Sequence, residues 1–214
     1  MKDFNFYIDE AWKSFIEGLS QYSKGYGADR FIDLHQTRIF VKAAEQVEQC
    51  ETNPRNDKRF AYGLAAIASS LTNLTDDAKK YIDLLERDYP DELWAKIANA
   101  FLAIKATKVT SKKSVDKTIF VCYETAISFI DLYNQQKTFD INSLVLDASL
   151  ISMIASEMNE KRISNQSVMT ILLQIPWDSP SVKHSLPEDI INQIVARFND
   201  MLKRNTNQAY SFLN

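Results

Sequence analysis

The chain is poor in residues that break, staple or activate a backbone. Of 214 residues only four are glycine and five are proline, and three of the glycines precede Asp29. Such scarcity predicts long helices joined by short turns. No sustained alternation of apolar and polar residues bounded by turn signals occurs, so strands are not expected. The two cysteines, Cys50 and Cys122, are far apart, and no CxxC or Cys/His cluster accompanies them. This excludes a disulfide framework and a zinc-finger spacing, and predicts two reduced thiols in a reducing compartment. His35 and His184 are the only histidines, too few for a multi-histidine metal site. Neither a GxGxxG, a GxxxxGK[ST], a GxSxG nor an HExxH sequence is found. No catalytic residue, metal ligand or cofactor is therefore assigned, and the balance lies against an enzyme.

Charge of one sign is also lacking. A formal net charge of −3 and a pI of about 5.5 speak against a nucleic-acid binder acting with its whole surface. No apolar run approaches the length that spans a membrane. The start, Met1-Lys2-Asp3-Phe4, lacks the apolar run of a signal peptide. The expectation is a cytoplasmic protein without a membrane partner.

Hydrophobic residues are plentiful, at 45%, and they recur at helical spacing from Phe4 to Leu202. The stretch from Asp57 to Lys105 organises the rest as helix, turn, helix, turn, helix. Its first helix, Arg59 to Leu74, is apolar on nearly every side and predicts burial on nearly every side. Thr75 then offers a capping hydroxyl, and Asp76 and Asp77 place negative charge at a helix start. Ala78, Tyr81, Ile82, Leu85 and Tyr89 form one stripe of that helix. Pro90 ends it, and Asp91 and Glu92 open the next, with Leu93, Trp94, Ile97, Ala98, Phe101 and Leu102 apolar.

Tyr62, Ala78, Ile82 and Pro90 fall where a tetratricopeptide repeat has its first aromatic, its small alanine, its second aromatic and its proline. Residues 59–92 thus resemble one repeat of that family, about 34 residues long. Ala66 and Leu85 depart from the pattern, standing where the family has glycine and a second small residue. The resemblance implies a helical array and a concave side lined by Phe60, Gly63, Leu64, Ile67 and Leu71. A partner's helix laid in that groove would meet Leu64, Ile67, Trp94, Ile97 and Phe101. Cover by the chain's own first or last helix is the competing expectation, and the stronger one.

The flanking segments continue the pattern. Phe4 to Gln21 predicts a first helix whose buried stripe is Phe4, Ile8, Ala11 with Trp12, Phe15, Leu19 and Tyr22. Asp29 is read as the cap of a helix reaching about Glu51, whose stripe is Ile32, His35, Ile39, Ala43, Val47 and Cys50. His35 is read as a hydrogen-bonded residue at a core edge. Between Leu93 and Val115 there is no acid, and Lys96, Lys105, Lys108, Lys112 and Lys113 accumulate. Lys105, Lys108, Lys112 and Lys113 are a candidate site for an anionic partner, although lysines also suit a helix end and a solvated loop. Ser114 is read as the cap of a helix with stripe Val115, Ile119, Cys122, Ala126, Phe129 and Tyr133. Its polar side carries Lys117, Glu124, Ser128, Asp131 and Gln135. Asp140 opens a nearly all-apolar helix, and Ser164 to Ile175 forms a shorter one. Ser185 and Glu188 make a capping box before a last helix, and 205–214 is a polar tail.

The reading is an all-α protein of about nine helices in a single domain over 1–214. Its architecture is an irregular tetratricopeptide-like array or a compact bundle. The preferred function is a non-enzymatic protein-interaction module: an adaptor, a chaperone-like protein or a regulator. The alternative is an all-α enzyme or small-ligand binder with an interhelical pocket. A nucleic-acid role for the lysines ranks third.

Overall fold

The computed structural model describes residues 9–11, 13–15, 17–18, 32–49, 55–135 and 141–172. Among these, every regular element is an α-helix. After the helical residues between 9 and 18 come α1 (Leu34–Gln49), α2 (Arg55–Leu71), α3 (Thr75–Asp88) and α4 (Leu93–Ala106). Then follow α5 (Lys112–Gln135), α6 (Ile141–Glu160) and α7 (Gln166–Leu172). The positions proposed for Asp29, Cys50, Asp140, Trp177, the Ser185/Glu188 capping box, the last helix and the tail lie outside the described residues. The chain divides into two compact units, the first ending at Thr107 and the second taking up from Lys108.

In the first unit α2 is the centre, packing against α1, α3 and α4, while α3 also packs on α4. Every residue from 61 to 71 is buried, as an all-round apolar helix requires. Each large side chain in that run contributes about 1.5–3 kcal/mol by leaving water. The turn from α2 to α3 is a Schellman motif. Asn73 takes a left-handed conformation (φ 62°), and the Leu74 N–H donates to the Ser69 carbonyl at 2.9 Å. The link from α3 to α4 is a type II turn with Pro90 in its second position. Asp91 has φ 64°, and the Glu92 N–H donates to the Tyr89 carbonyl at 3.2 Å. Arg59 pairs with the nearly buried Glu92, which ties the start of α2 to the start of α4. The same carboxylate accepts from the Trp94 N–H at 3.4 Å as the cap of α4.

Three caps differ from the sequence reading. α1 starts at Leu34 and is capped by Asp33, whose carboxylate accepts from the Gln36 N–H at 2.7 Å, while the Asp33 N–H donates to Gln36 Oε1 at 2.9 Å. Ile32, Ala43 and Val47 are buried as the stripe predicts, and His35 and Ile39 depart from it. The buried face of α1 is Thr37, Phe40, Ala43, Ala44 and Val47, and His35 is exposed in the first turn. Thr75 makes no capping bond; α3 starts from Leu74, and Asp76 and Asp77 supply the charge at its positive end. Ser111, not Ser114, caps α5 through its Oγ, which accepts from the Ser114 N–H at 3.4 Å.

In the second unit α5, α6 and α7 pack on one another. Residues 148–158 of α6 are all buried, matching the apolar run read there. A second Schellman motif joins α6 to α7, with Arg162 at φ 58° and the Ile163 N–H donating to the Met158 carbonyl at 2.8 Å.

Candidate interaction surface

The apolar groove is core. Leu64, Ile67, Ile97 and Phe101 are at most 1% exposed. Trp94 is half-buried and lies between Phe60 and Phe15, with ring centroids 5.7 Å and 6.4 Å away. Phe15 and Ala11 are themselves fully buried. Phe15, from the chain's own N-terminal helical residues, packs on Trp94 at this face, and the other four residues are enclosed by the protein itself. Lys105, in the last turn of α4, is half-buried within the first unit.

The surface that stays open lies on α5, in the second unit. This helix has 24 residues, about 36 Å of length at 1.5 Å per residue. Thr118, Cys122, Thr125, Ala126 and Phe129 are buried and define its inward side. At 100° per residue the opposite side is centred on Phe120, with Lys113, Lys117, Tyr123, Glu124, Ile127 and Asp131 around it. Phe120 is 62% exposed and Tyr123 38%. Two aromatic rings one turn apart, on the solvent side of a two-faced helix, are not explained by the unit's own packing.

The charges on this side are sorted by sign. Lys108, Lys112, Lys113 and Lys117 surround its N-terminal end and are exposed. Glu124 and Asp131 occupy its C-terminal half, and Asp116 is the one acid among the lysines. None of the four lysines has an ion-pair partner among the described residues. Lys112 and Lys113 sit in the first turn of α5, which has no acid, where the helix dipole disfavours cations. Lys113 and Lys117 are four apart and repel. The turn that presents them is ordered: the Lys108 N–H donates to Ser114 Oγ at 3.1 Å and the Ser111 N–H to the Lys108 carbonyl at 2.9 Å. Asp116, four residues from Lys112 and three from Lys113, offsets this only in part, and an excess of cations at a positive helix end suits contact with an external anion.

Nucleophilic and metal chemistry finds little here. Burial pushes the Cys122 thiol up to about 12, which keeps it protonated and inert. No group of three or more His, Cys, Asp and Glu is placed to hold a metal among the described residues. No described helix is long and apolar enough to cross a membrane. Periodicity places Lys117, Glu124, Ser128, Asp131 and Gln135 on the polar side of this helix and gives no place to Phe120 and Tyr123. The signal was present, since neither aromatic fits the Cys122 stripe. No family model, curated protein or solved structure matches the chain.

Proposed function

We propose that this protein is a non-enzymatic protein-interaction module whose contact surface is the exposed side of α5. The observation that carries the reading is Phe120, open to water at the centre of a helix side rimmed by exposed charges sorted by sign. Protein interfaces concentrate aromatic residues at their centre and keep a polar, solvent-accessible rim. The α2–α3 hairpin, with Tyr62 facing Tyr81 at 6.0 Å between ring centroids, supports a tetratricopeptide-like scaffold for the first unit. A cytoplasmic setting agrees with a buried, reduced Cys122. The test compares the full chain with a Phe120→Asp variant in affinity capture from the source cell, after both show the same thermal melt. Proteins retained by the parent and lost by the variant support the reading. An identical set retained by both sinks this surface.

A further inference from the structure

The exposed side of α5 is complementary to itself. We infer that its occupant is a second copy of the same chain, with the two α5 helices packed antiparallel about a two-fold axis. The inference rests on the interaction-module reading and names the partner for its surface.

In an antiparallel pair of identical helices, residues equally distant from the axis on either side lie opposite each other. Place the axis at the level between Val121 and Cys122, and Phe120 of each copy meets Tyr123 of the other. The two pairs form an aromatic centre of four rings. Further out, Lys113 comes within one residue, about 1.5 Å, of the level of the second copy's Asp131. Lys117 comes within two residues, about 3 Å, of the level of its Glu124. Both offsets are within reach of a lysine side chain. A single register therefore pairs ring with ring and base with acid, twice over by symmetry. That self-complementarity is what an isologous two-fold contact requires. Parallel packing would set lysines against lysines and acids against acids. Asp116, which faces Ile127, and Lys108, which falls opposite Gln135, gain no opposite charge.

The sign sorting also bears on other occupants. A nucleic-acid strand laid along α5 would gain from the four lysines but meet Glu124 and Asp131 beyond Tyr123. One helix side is small beside the ~800 Å² per partner of a standard interface, so the association is weak and concentration-dependent. Exposed charge pairs add orientation more than affinity.

The test is sedimentation equilibrium of the full chain, whose monomer mass is 24.6 kDa, at loadings up to roughly 1 mM, the weak end of specific association. The average mass is expected to rise toward that of a dimer. Phe120→Asp should keep it at the monomer value while melting with the parent. Two charge variants carry the register. Lys113→Glu with Lys117→Glu makes the side largely acidic; Glu124→Lys with Asp131→Lys makes it largely basic. Each alone should stay monomeric, and an equimolar mixture should associate more tightly than the parent, with the gain lost at high salt. A parent that stays monomeric throughout, or a dimer that none of these variants weakens, overturns the pairing. So does a Phe120→Asp variant that melts well below the parent, because another segment of the same chain would then cover the face. So does tight, salt-sensitive binding of a labelled oligothymidylate that the lysine variant abolishes. A monomeric parent whose Phe120→Asp variant still loses a captured protein would overturn self-pairing and leave the interaction-module reading intact.

Discussion

The indole of Trp94 fills the space that a β-carbon on Gly63 would need. A methyl built there would overlap Cε3 of the ring and press on Cδ2 and Cζ3, both 3.1 Å away. Glycine inside a helix is ordinarily about 1 kcal/mol worse than alanine, so on an open helix Gly63→Ala would stabilise. Here the sign reverses. Trp94 is held between Phe15 and Phe60 and has little room to retreat. Overpacking of this kind costs about 1–3 kcal/mol. Thermal melting should fall by several degrees, at about 2–4 °C per kcal/mol for a chain of this size. A rise in melting temperature would show that α2 and α4 do not approach so closely.

Ala78 lies in the buried face of α3 and is fully enclosed. Beside it the tilted pair Tyr62 and Tyr81 fills the gap between α2 and α3. A phenylalanine at 78 has no void to enter and must force the hairpin apart. Ala78→Phe should destabilise by about 1–3 kcal/mol or more, read as a lower denaturation midpoint with an unchanged denaturant slope. A variant that unfolds with the parent would refute close packing at this position.

How far the sequence carried depends on which physical signal each feature has. The all-round apolar runs of α2 and α6 were legible because burial on every side leaves no polar face to misplace. The stripe Ala78, Tyr81, Ile82, Leu85 was legible because its spacing admits one register. The α1 stripe is legible at Ile32, Ala43 and Val47 but fails at His35, which the Asp33/Gln36 capping box places in the exposed first turn. The box was visible in the sequence, but Asp29 also suited a cap. The groove residues Leu64, Ile67, Ile97 and Phe101 were identified as apolar, yet periodicity does not say which element covers a face; Phe15 did. Phe120 and Tyr123 were left unplaced because an exposed aromatic has no periodic signature of its own.

Lys108, Lys112 and Lys113 can be neutralised without harm to the fold. All three are exposed and none has an ion-pair partner among the described residues. Replacing them with glutamine removes cations from the positive end of α5, each worth about 0.3–1 kcal/mol when unfavourably placed. The triple variant should melt at or slightly above the parent, measured at dilution where chains do not associate. Lys105, half-buried in α4, is kept. A clear drop in melting temperature would mean these lysines are structurally engaged.

Raising the pH should open the first unit through its tyrosines. Burial is the main cause that pushes the Tyr62 hydroxyl up to about 12, with the Glu48 and Asp88 carboxylates adding to it. Tyr81 is pushed higher still, again chiefly by burial, with Glu45, Glu48 and Asp77 contributing. Its hydroxyl sits 3.5 Å from the Val41 carbonyl, which accepts from the neutral phenol and repels a phenolate. A folded-state pKa above the unfolded value of about 10 means the native chain holds the proton more tightly. The stabilisation is therefore complete below pH ~10 and declines as the pH climbs through the range from about 10 to the raised native values. Absorbance at 295 nm should show part of the chain's nine tyrosines ionising late, in step with loss of helical circular dichroism. A Tyr62→Phe/Tyr81→Phe chain should lose the late component. If all nine ionise near pH 10 while helicity persists, the Tyr62–Tyr81 contact is open to water and the hairpin is looser than described.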